Sequence, residues 1–213
     1  MKEILIFAVL GYLVGTFNPS YIFAKIKGFD IRSRGSGNAG GSNALITMGN
    51  KIGAFCMVLD IIKAYVVVTL AMYFYPDNRY VGIIAGVMCI VGHMFPFYMG
   101  FKGGKGFACL GGLILAYSSK LFVIMLAAVF LFVLITDYLC LGPIAASIAF
   151  SIIYGILEKD LPGALIIAVA AVLILIRHRG NLKRIKEGTE AHFSYLWRKE
   201  EETQRVQRNM EDK

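Results

Sequence analysis

Long apolar runs are the feature that most constrains the fold of this chain. A helix needs about 20 mostly apolar residues to cross the hydrocarbon core of a bilayer, and fewer where neighbouring helices shield it. Of the 213 residues, 57% are hydrophobic and only 17% are charged, whereas a soluble domain has about 25% charged residues. The pattern therefore predicts an all-α polytopic membrane protein with about seven transmembrane helices.

The predicted spans are residues 3–24, 51–75, 81–98, 107–118, 120–136, 142–157 and 161–176. Turn sequences separate them, and the clearest lies at residues 76–79. The fourth span is short and contains Gly111 and Gly112. An alternative interpretation is therefore that the fourth and fifth spans form one bent hairpin.

The distribution of basic residues predicts the orientation in the membrane. If the N-terminus is outside, 17 of the 22 Lys and Arg residues lie on the inner side and four on the outer side. Cytoplasmic segments carry the excess of Lys and Arg, so we expect an outside N-terminus and a cytoplasmic C-terminus. Residues 1–197 would form one integral membrane domain, and residues 198–213 a charged cytoplasmic tail. This bias accounts for the net charge of +8 and gives no reason to expect a nucleic-acid partner.

Four polar, glycine-rich segments fall on the predicted cytoplasmic side, whereas the outer turns are short. These segments are residues 28–50, 99–106, 136–142 and 177–192. We therefore expect any chemistry to take place at the cytoplasmic face of the membrane.

The second of these segments contains a loop that is suited to binding phosphate. It consists of Lys102, Gly103, Gly104, Lys105 and Gly106. Glycine lets backbone N–H groups approach an anion without a Cβ in the way, and lysine adds a positive charge. The loop is not a Walker A motif, because Met99 occupies its first glycine position and a glycine follows the last lysine. The sequence therefore predicts a phosphate site but no nucleoside triphosphate.

The first segment combines glycines with short polar side chains. Residues 30–43 include Ser36, Asn38 and Asn43 among four glycines. Such a stretch can form a hydrogen-bonding concavity, and a helix that begins near Asn43 would offer free N–H groups. The alternative interpretation is a flexible cytoplasmic linker.

The last segment carries His178 and Asn181, which share one face if the helix continues past residue 176. A histidine near neutrality can position or deprotonate a hydroxyl group. The neighbouring Arg177, Arg179 and Lys183 are adequately explained as positive residues that anchor the end of the last span. His93, which precedes the glycine loop, is expected to be an ordinary packed histidine.

Asp60 and Lys63 lie inside the second span, where their i, i+3 spacing allows an ion pair. The pattern fits a structural pair and a substrate contact equally well. The sequence suggests no metal or cofactor, because the three histidines are dispersed and the four cysteines show no C-x-x-C spacing. Ser36 and His178 could form a nucleophile and its base, but nothing in their spacing requires it.

Together these motifs resemble the bacterial acyl-phosphate:glycerol-3-phosphate acyltransferase family (PlsY) over nearly the whole chain. The matching stretches, in chain order, are residues 15–20, 30–38, 60–63, 92–96, 101–106 and 177–190. The resemblance implies transfer of a fatty acyl group from acyl phosphate to the sn-1 hydroxyl of glycerol 3-phosphate. The expected products are lysophosphatidic acid and phosphate, at the start of phospholipid synthesis. It also implies a multi-pass protein of the bacterial inner membrane that needs no cofactor.

The resemblance assigns roles position by position, and these roles are expectations. The matching residues are catalytic Ser36, His178 and Asn181; phosphate-binding Asn38, Asn43, Lys102, Gly103, Gly104, Lys105 and Gly106; and structural Asp60, Lys63 and Glu190. In such enzymes the attacking hydroxyl belongs to the substrate, so no acyl-enzyme is expected.

Two cations of the family pattern are replaced in this chain. The first motif ends in Ile46 where the family usually has arginine, and Asp137 stands at a second usual arginine position. Cys140 and Gly142 replace two serines. Loss of one charge-assisted phosphate contact costs about 1.5–3 kcal/mol. Two alternatives follow: a diverged paralogue with a different acceptor, or a non-catalytic protein that binds or transports a lipid phosphate.

Overall fold

The computed structural model describes residues 1–196, 198, 201, 204, 205 and 209, which include only five residues of the predicted tail 198–213. Within these residues the chain is all α-helical, as the sequence predicts, with no strand. The α-helices are α1 (Lys2–Thr16), α2 (Pro19–Ile26), α3 (Gly41–Met48), α4 (Asn50–Phe74), α5 (Arg79–Met94), α6 (Phe107–Tyr117), α7 (Ser119–Thr136), α8 (Leu141–Glu158) and α9 (Leu161–Lys186).

Six helical segments of the described chain are long and apolar enough to cross a membrane. They are Lys2–Ile26, Asn50–Phe74, Arg79–Met99, Ser119–Thr136, Leu141–Glu158 and Leu161–Lys186. The predicted fourth span is α6, which has 11 residues and a length of about 16 Å at 1.5 Å per residue, about half the bilayer core. α6 and α7 meet at Ser118, which is the C-cap of α6 and the N-cap of α7.

Two predicted spans have different bounds in the structure. The first is interrupted at Phe17 and Asn18, because Pro19 lacks an N–H group and begins a new helix. Asn18 caps α2 by accepting a hydrogen bond from Tyr21 N at 2.8 Å. The last helix runs ten residues beyond the predicted end at residue 176. This extension carries the polar residues of the last segment on a rigid helix.

Small residues let α1 and α5 cross at close range. A Cβ on Gly15 of α1 would overlap the carbonyl of Cys89, and one on Gly92 of α5 would overlap the carbonyl of Tyr12. Helices in membranes associate through such small-residue contacts because lipid offers no hydrophobic driving force between them. The crossing fixes the end of α5, where the glycine-rich loop begins. α4 packs against α5 and α6, and α8 against α9.

Candidate functional site

The glycine-rich loop folds back onto the end of α5. Gly103 N donates to the carbonyl of Met94 at 3.0 Å, and Gly104 N donates to the carbonyl of His93 at 3.0 Å. Both glycines are buried. Their N–H groups therefore hold the loop in place, which differs from the expectation that they cradle a phosphate.

Close approach explains why both positions are glycine. A Cβ on Gly103 would overlap the His93 carbonyl and lie 2.6 Å from Pro96 Cδ, and a Cβ on Gly104 would overlap His93 Nε2. His93 is only 3% exposed, so its ring has no room to move aside. It is a packed histidine, as expected, and its packing partner is the loop itself.

A buried polar cluster lies beneath this part of the loop. Lys63 Nζ is 2.6 Å from Asp60 Oδ1, which confirms the predicted ion pair, and 3.1 Å from His93 Nδ1. His93 Nδ1 is also 3.3 Å from Asp60 Oδ1. Lys63 further donates to the carbonyls of Gly15 at 3.1 Å and Phe17 at 2.5 Å, which ties α4 to the end of α1. The cluster thus connects the core of the bundle to the glycine loop.

Asp60, His93 and Cys109 place their ligand atoms within 4.8 Å of one another, so this cluster also has the composition of a metal site. The dispersed histidines of the sequence gave no sign of it. The Lys63 ammonium lies among these groups and supplies the positive charge that the Asp60 carboxylate needs. The arrangement is that of a buried ion pair.

The second lysine of the loop enters a chain of polar contacts with α9. Lys105 Nζ donates to Asn181 Oδ1. Asn181 Nδ2 donates to Glu190 Oε1 at 2.5 Å, and Arg184 Nε donates to Glu190 Oε2 at 2.6 Å. This chain fixes the amide orientation of Asn181 and therefore the position of the Lys105 ammonium. The first lysine, Lys102, is exposed.

Burial shifts the pKa values of Lys105, which belongs to this chain of polar contacts, and of Cys140, which lies near it. Removal from water lowers the pKa of Lys105, because the charged ammonium loses hydration. Burial and the nearby Glu190 carboxylate raise the pKa of the Cys140 thiol to about 11. Cys140 therefore stays protonated near neutral pH and is a poor nucleophile.

His178 lies one turn from Asn181 on the same buried side of α9, as the sequence predicted for a continuous helix. Its Nδ1 is 2.8 Å from the carbonyl oxygen of Ile174. A carbonyl oxygen can only accept, so Nδ1 carries the proton and Nε2 keeps a lone pair. His178 is thus held in the tautomer that can accept a proton through Nε2.

Arg177 has a specific partner that the sequence did not indicate. Its guanidinium donates to the carbonyls of Gly103 at 2.9 Å and Gly104 at 3.2 Å. The sequence explained Arg177 as a membrane anchor, since nothing local distinguishes it from Arg179. Its partners lie more than 70 residues away, and only the packing of α9 beside the loop brings them together.

Asn43 shapes the loop that carries Ser36. It is fully buried, and its Oδ1 accepts from Ser36 N at 2.8 Å. Its Nδ2 donates to the carbonyls of Ile31 at 2.8 Å and Arg34 at 3.0 Å. With its amide engaged in this way, Asn43 acts as a scaffold in place of the expected phosphate contact. The Ser36 side chain itself is exposed.

The Ser36 loop is joined to the glycine loop through Arg32. Arg32 Nη1 donates to the carbonyl of Met99 at 2.6 Å, and its other nitrogens pair with Asp30 at 2.7–3.0 Å. This pairing lowers the pKa of Asp30 to about 2. Within the described residues, no hydrogen bond links Ser36 to His178 or Lys105. Asn38 is half-buried, with its amide beside Gly40.

Free backbone donors are found one step further along the chain, at the start of α6. Gly106 has φ +86°, a value that favours glycine, and ends the loop there. The first-turn N–H groups of α6, at residues 107–109, have no carbonyl partner within the helix. Together with the positive end of the helix dipole and the Lys105 ammonium, they can hold an anion.

The two replaced cation positions have different surroundings. The side chain of Ile46 on α3 is 68% exposed. Asp137 is not part of the hydrogen-bonded series Lys105, Asn181 and Glu190. Its carboxylate instead accepts hydrogen bonds from Ser194 N and Ser194 Oγ, both at 2.7 Å. Burial acts to raise the pKa of Asp137, but the hydrogen bonds from Ser194 keep it below its usual value.

Comparison with known proteins gives one consistent result. A family model described as "Glycerol-3-phosphate acyltransferase" matches residues 5–188. The chain is 35% identical over 189 residues to the glycerol-3-phosphate acyltransferase of Bacillus subtilis, covering 88% of this chain and 96% of that protein. It is 39% identical over 194 residues to the Clostridioides difficile protein of the same name, covering 87% and 93% of the two chains.

Solved structures agree with these matches. The crystal structure of PlsY (YgiH), an integral membrane glycerol 3-phosphate acyltransferase, in its glycerol 3-phosphate form superposes with a TM-score of 0.84 at 30% identity. The superposition covers 91% of this chain and 96% of that one. The lysophosphatidic acid form of PlsY superposes with a TM-score of 0.82 at the same identity.

Proposed function

Since this chain belongs to the glycerol-3-phosphate acyltransferase family, we propose that it transfers a fatty acyl group from acyl phosphate to the sn-1 hydroxyl of glycerol 3-phosphate. The products are lysophosphatidic acid and inorganic phosphate. The observation that carries this proposal is the bond between Lys105 and Asn181. It holds a cation at the start of α6 against Asn181, which lies one helical turn from His178 on α9.

The phosphate of glycerol 3-phosphate binds to the Lys105 ammonium and the first-turn N–H groups of α6. Lys105 is fixed by Asn181, and Asn181 by Glu190, so little side-chain freedom is lost on binding. Gly103 and Gly104 set the conformation of the loop and do not bind the phosphate, because their N–H groups already donate to backbone carbonyls of the protein. The exposed Lys102 adds long-range attraction for the dianion.

The acyl donor carries its own activation, because acyl phosphate is a mixed anhydride. The substrate hydroxyl oxygen forms the new ester bond to the carbonyl carbon, and the bond from that carbon to the phosphate oxygen breaks. The hydroxyl proton passes to His178 Nε2 or directly to a substrate phosphate oxygen. No nucleophile of the protein is needed, which agrees with the protonated state of Cys140. The site therefore acts mainly by positioning the two anionic substrates, acyl phosphate and glycerol 3-phosphate, next to each other.

Ser36 supplies a hydroxyl from the first polar segment. Its backbone is held by Asn43, and the glycines at positions 35 and 37, with φ of +59° and +72°, turn the loop around it. An exposed hydroxyl on a fixed loop can donate to the carbonyl oxygen as negative charge develops there. Asn38, in the same loop, is the second candidate donor.

The protein is a multi-pass membrane protein, and we assign its site to the cytoplasmic face of the bacterial inner membrane. The excess of basic residues on the side that carries all four polar segments supports this orientation. The orientation can be tested in intact cells by introducing a single cysteine either into the loop that carries Ser36 or into the turn at residues 76–79, and labelling it. Reagent that cannot cross the membrane should modify only the turn at 76–79. Labelling of the Ser36 loop from outside would reverse the orientation.

A different polyol phosphate is the second candidate acceptor. The observation that favours it is that neither residue 46 nor residue 137 is a cation. Ile46 is exposed, and Asp137 binds Ser194. Without these two cations the acceptor phosphate makes fewer charge-assisted contacts, so recognition depends more on the polyol part of the acceptor.

The decisive experiment measures phosphate release by the purified protein supplied with palmitoyl phosphate and glycerol 3-phosphate. Release should require both substrates and should disappear in Ser36→Ala and His178→Ala. Ser33→Ala is the matched control, since Ser33 lies in the same segment and, among the residues that the structure describes, its hydroxyl donates only to the Asp30 carbonyl. Release with another polyol phosphate but not with glycerol 3-phosphate would establish the second candidate. No release with any acceptor would refute acyl transfer.

A further inference from the structure

Chain segments beyond the part that matches the family model return to the site. The match ends at residue 188, yet Arg205 Nη1 donates to the carbonyl of Gly188 at 2.8 Å and Nη2 donates to that of Glu190 at 2.8 Å. Asn209 Nδ2 donates to the same Gly188 carbonyl at 2.8 Å. A planar guanidinium that bridges two carbonyls of one turn holds that turn more rigidly than a single bond does.

The turn held by Arg205 is the one that carries Glu190. It ends α9 with Gly188 at φ +68° and with the N–H groups of Thr189 and Glu190 both bonded to the Arg184 carbonyl, at 2.8 and 3.1 Å. The Glu190 side chain is 12% exposed and points back to Asn181. The position of this turn therefore determines where Asn181, and through it Lys105, can lie.

A second anchor holds the same segment on its other side. Phe193 N donates to the Asp137 carbonyl at 2.6 Å, and the Asp137 carboxylate takes two bonds from Ser194. Asp137 has φ +59°, a conformation that Asp tolerates better than most residues. Its carboxylate is directed at the chain after Glu190. The replaced residue thus has a partner of its own in this protein.

We propose that Arg205 and Asp137 are positioning residues, which brace the turn at residues 188–190 from both sides and so set the position of Lys105 for the acceptor phosphate. Neither residue touches substrate. Both act through Glu190 and Asn181. The acceptor named here rests on the proposed function, whereas the brace rests on the hydrogen bonds alone.

The test compares Arg205→Ala with Arg198→Ala, a matched control because Arg198 is an exposed arginine of the same segment. We expect Arg205→Ala to raise the KM for glycerol 3-phosphate about three- to tenfold and to leave the KM for palmitoyl phosphate unchanged. A tail needed only for folding would lower the amount of active protein and change neither KM. Arg205→Lys should recover part of the loss, because the ammonium can still donate to these carbonyls but lacks the fixed planar geometry of the guanidinium.

Hydrogen exchange supplies a readout that does not depend on activity. In Arg205→Ala, and separately in Asp137→Asn, the amides of residues 189–194 should exchange several-fold faster than in the wild type and in Arg198→Ala. Unchanged exchange in both variants would overturn the brace. Faster exchange with an unchanged KM for glycerol 3-phosphate would overturn its role in setting the position of Lys105. If the wild type does not use glycerol 3-phosphate, the proposed function fails, and exchange at these amides alone decides whether the brace exists.

Discussion

The imidazole of His93 occupies the space in which a side chain at position 104 would stand. A Cβ on Gly104 would overlap His93 Nε2, and the ring is confined by Asp60 and Lys63. Glycine is therefore required here by close approach, although the same residue in the sequence suggested a phosphate cradle.

We expect Gly104→Ala to displace the glycine loop or the His93 ring. Overpacking of this kind costs about 1–3 kcal/mol, and a displaced loop moves Lys105 away from its position. The kcat/KM for glycerol 3-phosphate should fall at least tenfold in the phosphate-release assay. Gly111→Ala is the control, because a Cβ there has its nearest neighbour at 3.5 Å. Activity of Gly104→Ala equal to that of the control would show that the loop tolerates the side chain.

The buried ion pair should be sensitive to loss of either partner. Asp60→Asn or Lys63→Met leaves an uncompensated charge inside the bundle, which costs about 3–5 kcal/mol. We expect a lower melting temperature in detergent for each single variant. The double variant Asp60→Asn/Lys63→Met should be more stable than the sum of the single effects predicts. Strictly additive effects would mean that the two charges do not stabilise each other.

Lys105 should set the alkaline limit of activity. Burial lowers its pKa, so the ammonium loses its proton at a lower pH than an exposed lysine does. As pH rises through this value, the site loses its positive charge and the KM for glycerol 3-phosphate should rise. Lys105→Arg stays charged and should move the alkaline limb to higher pH, even if the maximal rate is lower. Lys102→Arg, at an exposed position, should leave the limb where it is.

Restoring one missing cation should strengthen acceptor binding if glycerol 3-phosphate is the acceptor. Ile46 is 68% exposed, so an arginine there has room to reach a phosphate. A charge-assisted contact of about 1.5–3 kcal/mol corresponds to a KM roughly ten- to a hundredfold lower for Ile46→Arg. Ile26→Arg adds the same charge at an exposed isoleucine of α2 and should change the KM little. An unchanged or higher KM for Ile46→Arg would favour a different acceptor.

The close crossing of α1 and α5 should also be testable by a single methyl group. A Cβ on Gly92 would overlap the Tyr12 carbonyl, which is backbone and cannot rotate away. We expect Gly92→Ala to separate the helices and lower the melting temperature by several degrees. Gly180→Ala should have little effect, since a Cβ there is 3.7 Å from the end of a flexible arginine. Equal melting temperatures would show that the helices can shift without cost.

Local sequence alone determined the helical architecture and where the polar segments lie. Apolar runs must be helical in a bilayer because every backbone N–H and C=O group has to be satisfied within the segment. The Asp60–Lys63 pair follows from i, i+3 spacing, and the shared face of His178 and Asn181 from a helix that continues. These properties depend on neighbours within one or two turns.

Tertiary structure decided which polar groups meet. The contacts of Lys105 with Asn181 and of Arg177 with the glycine carbonyls join residues more than 70 positions apart, and they exist only because α9 packs beside the loop. In the folded chain the N–H groups of Gly103 and Gly104 donate to backbone carbonyls at the end of α5, and the Asp137 carboxylate accepts from Ser194. A hydrogen-bonding group takes whichever partner the helix packing brings within about 3 Å, and the sequence around that group does not contain this information.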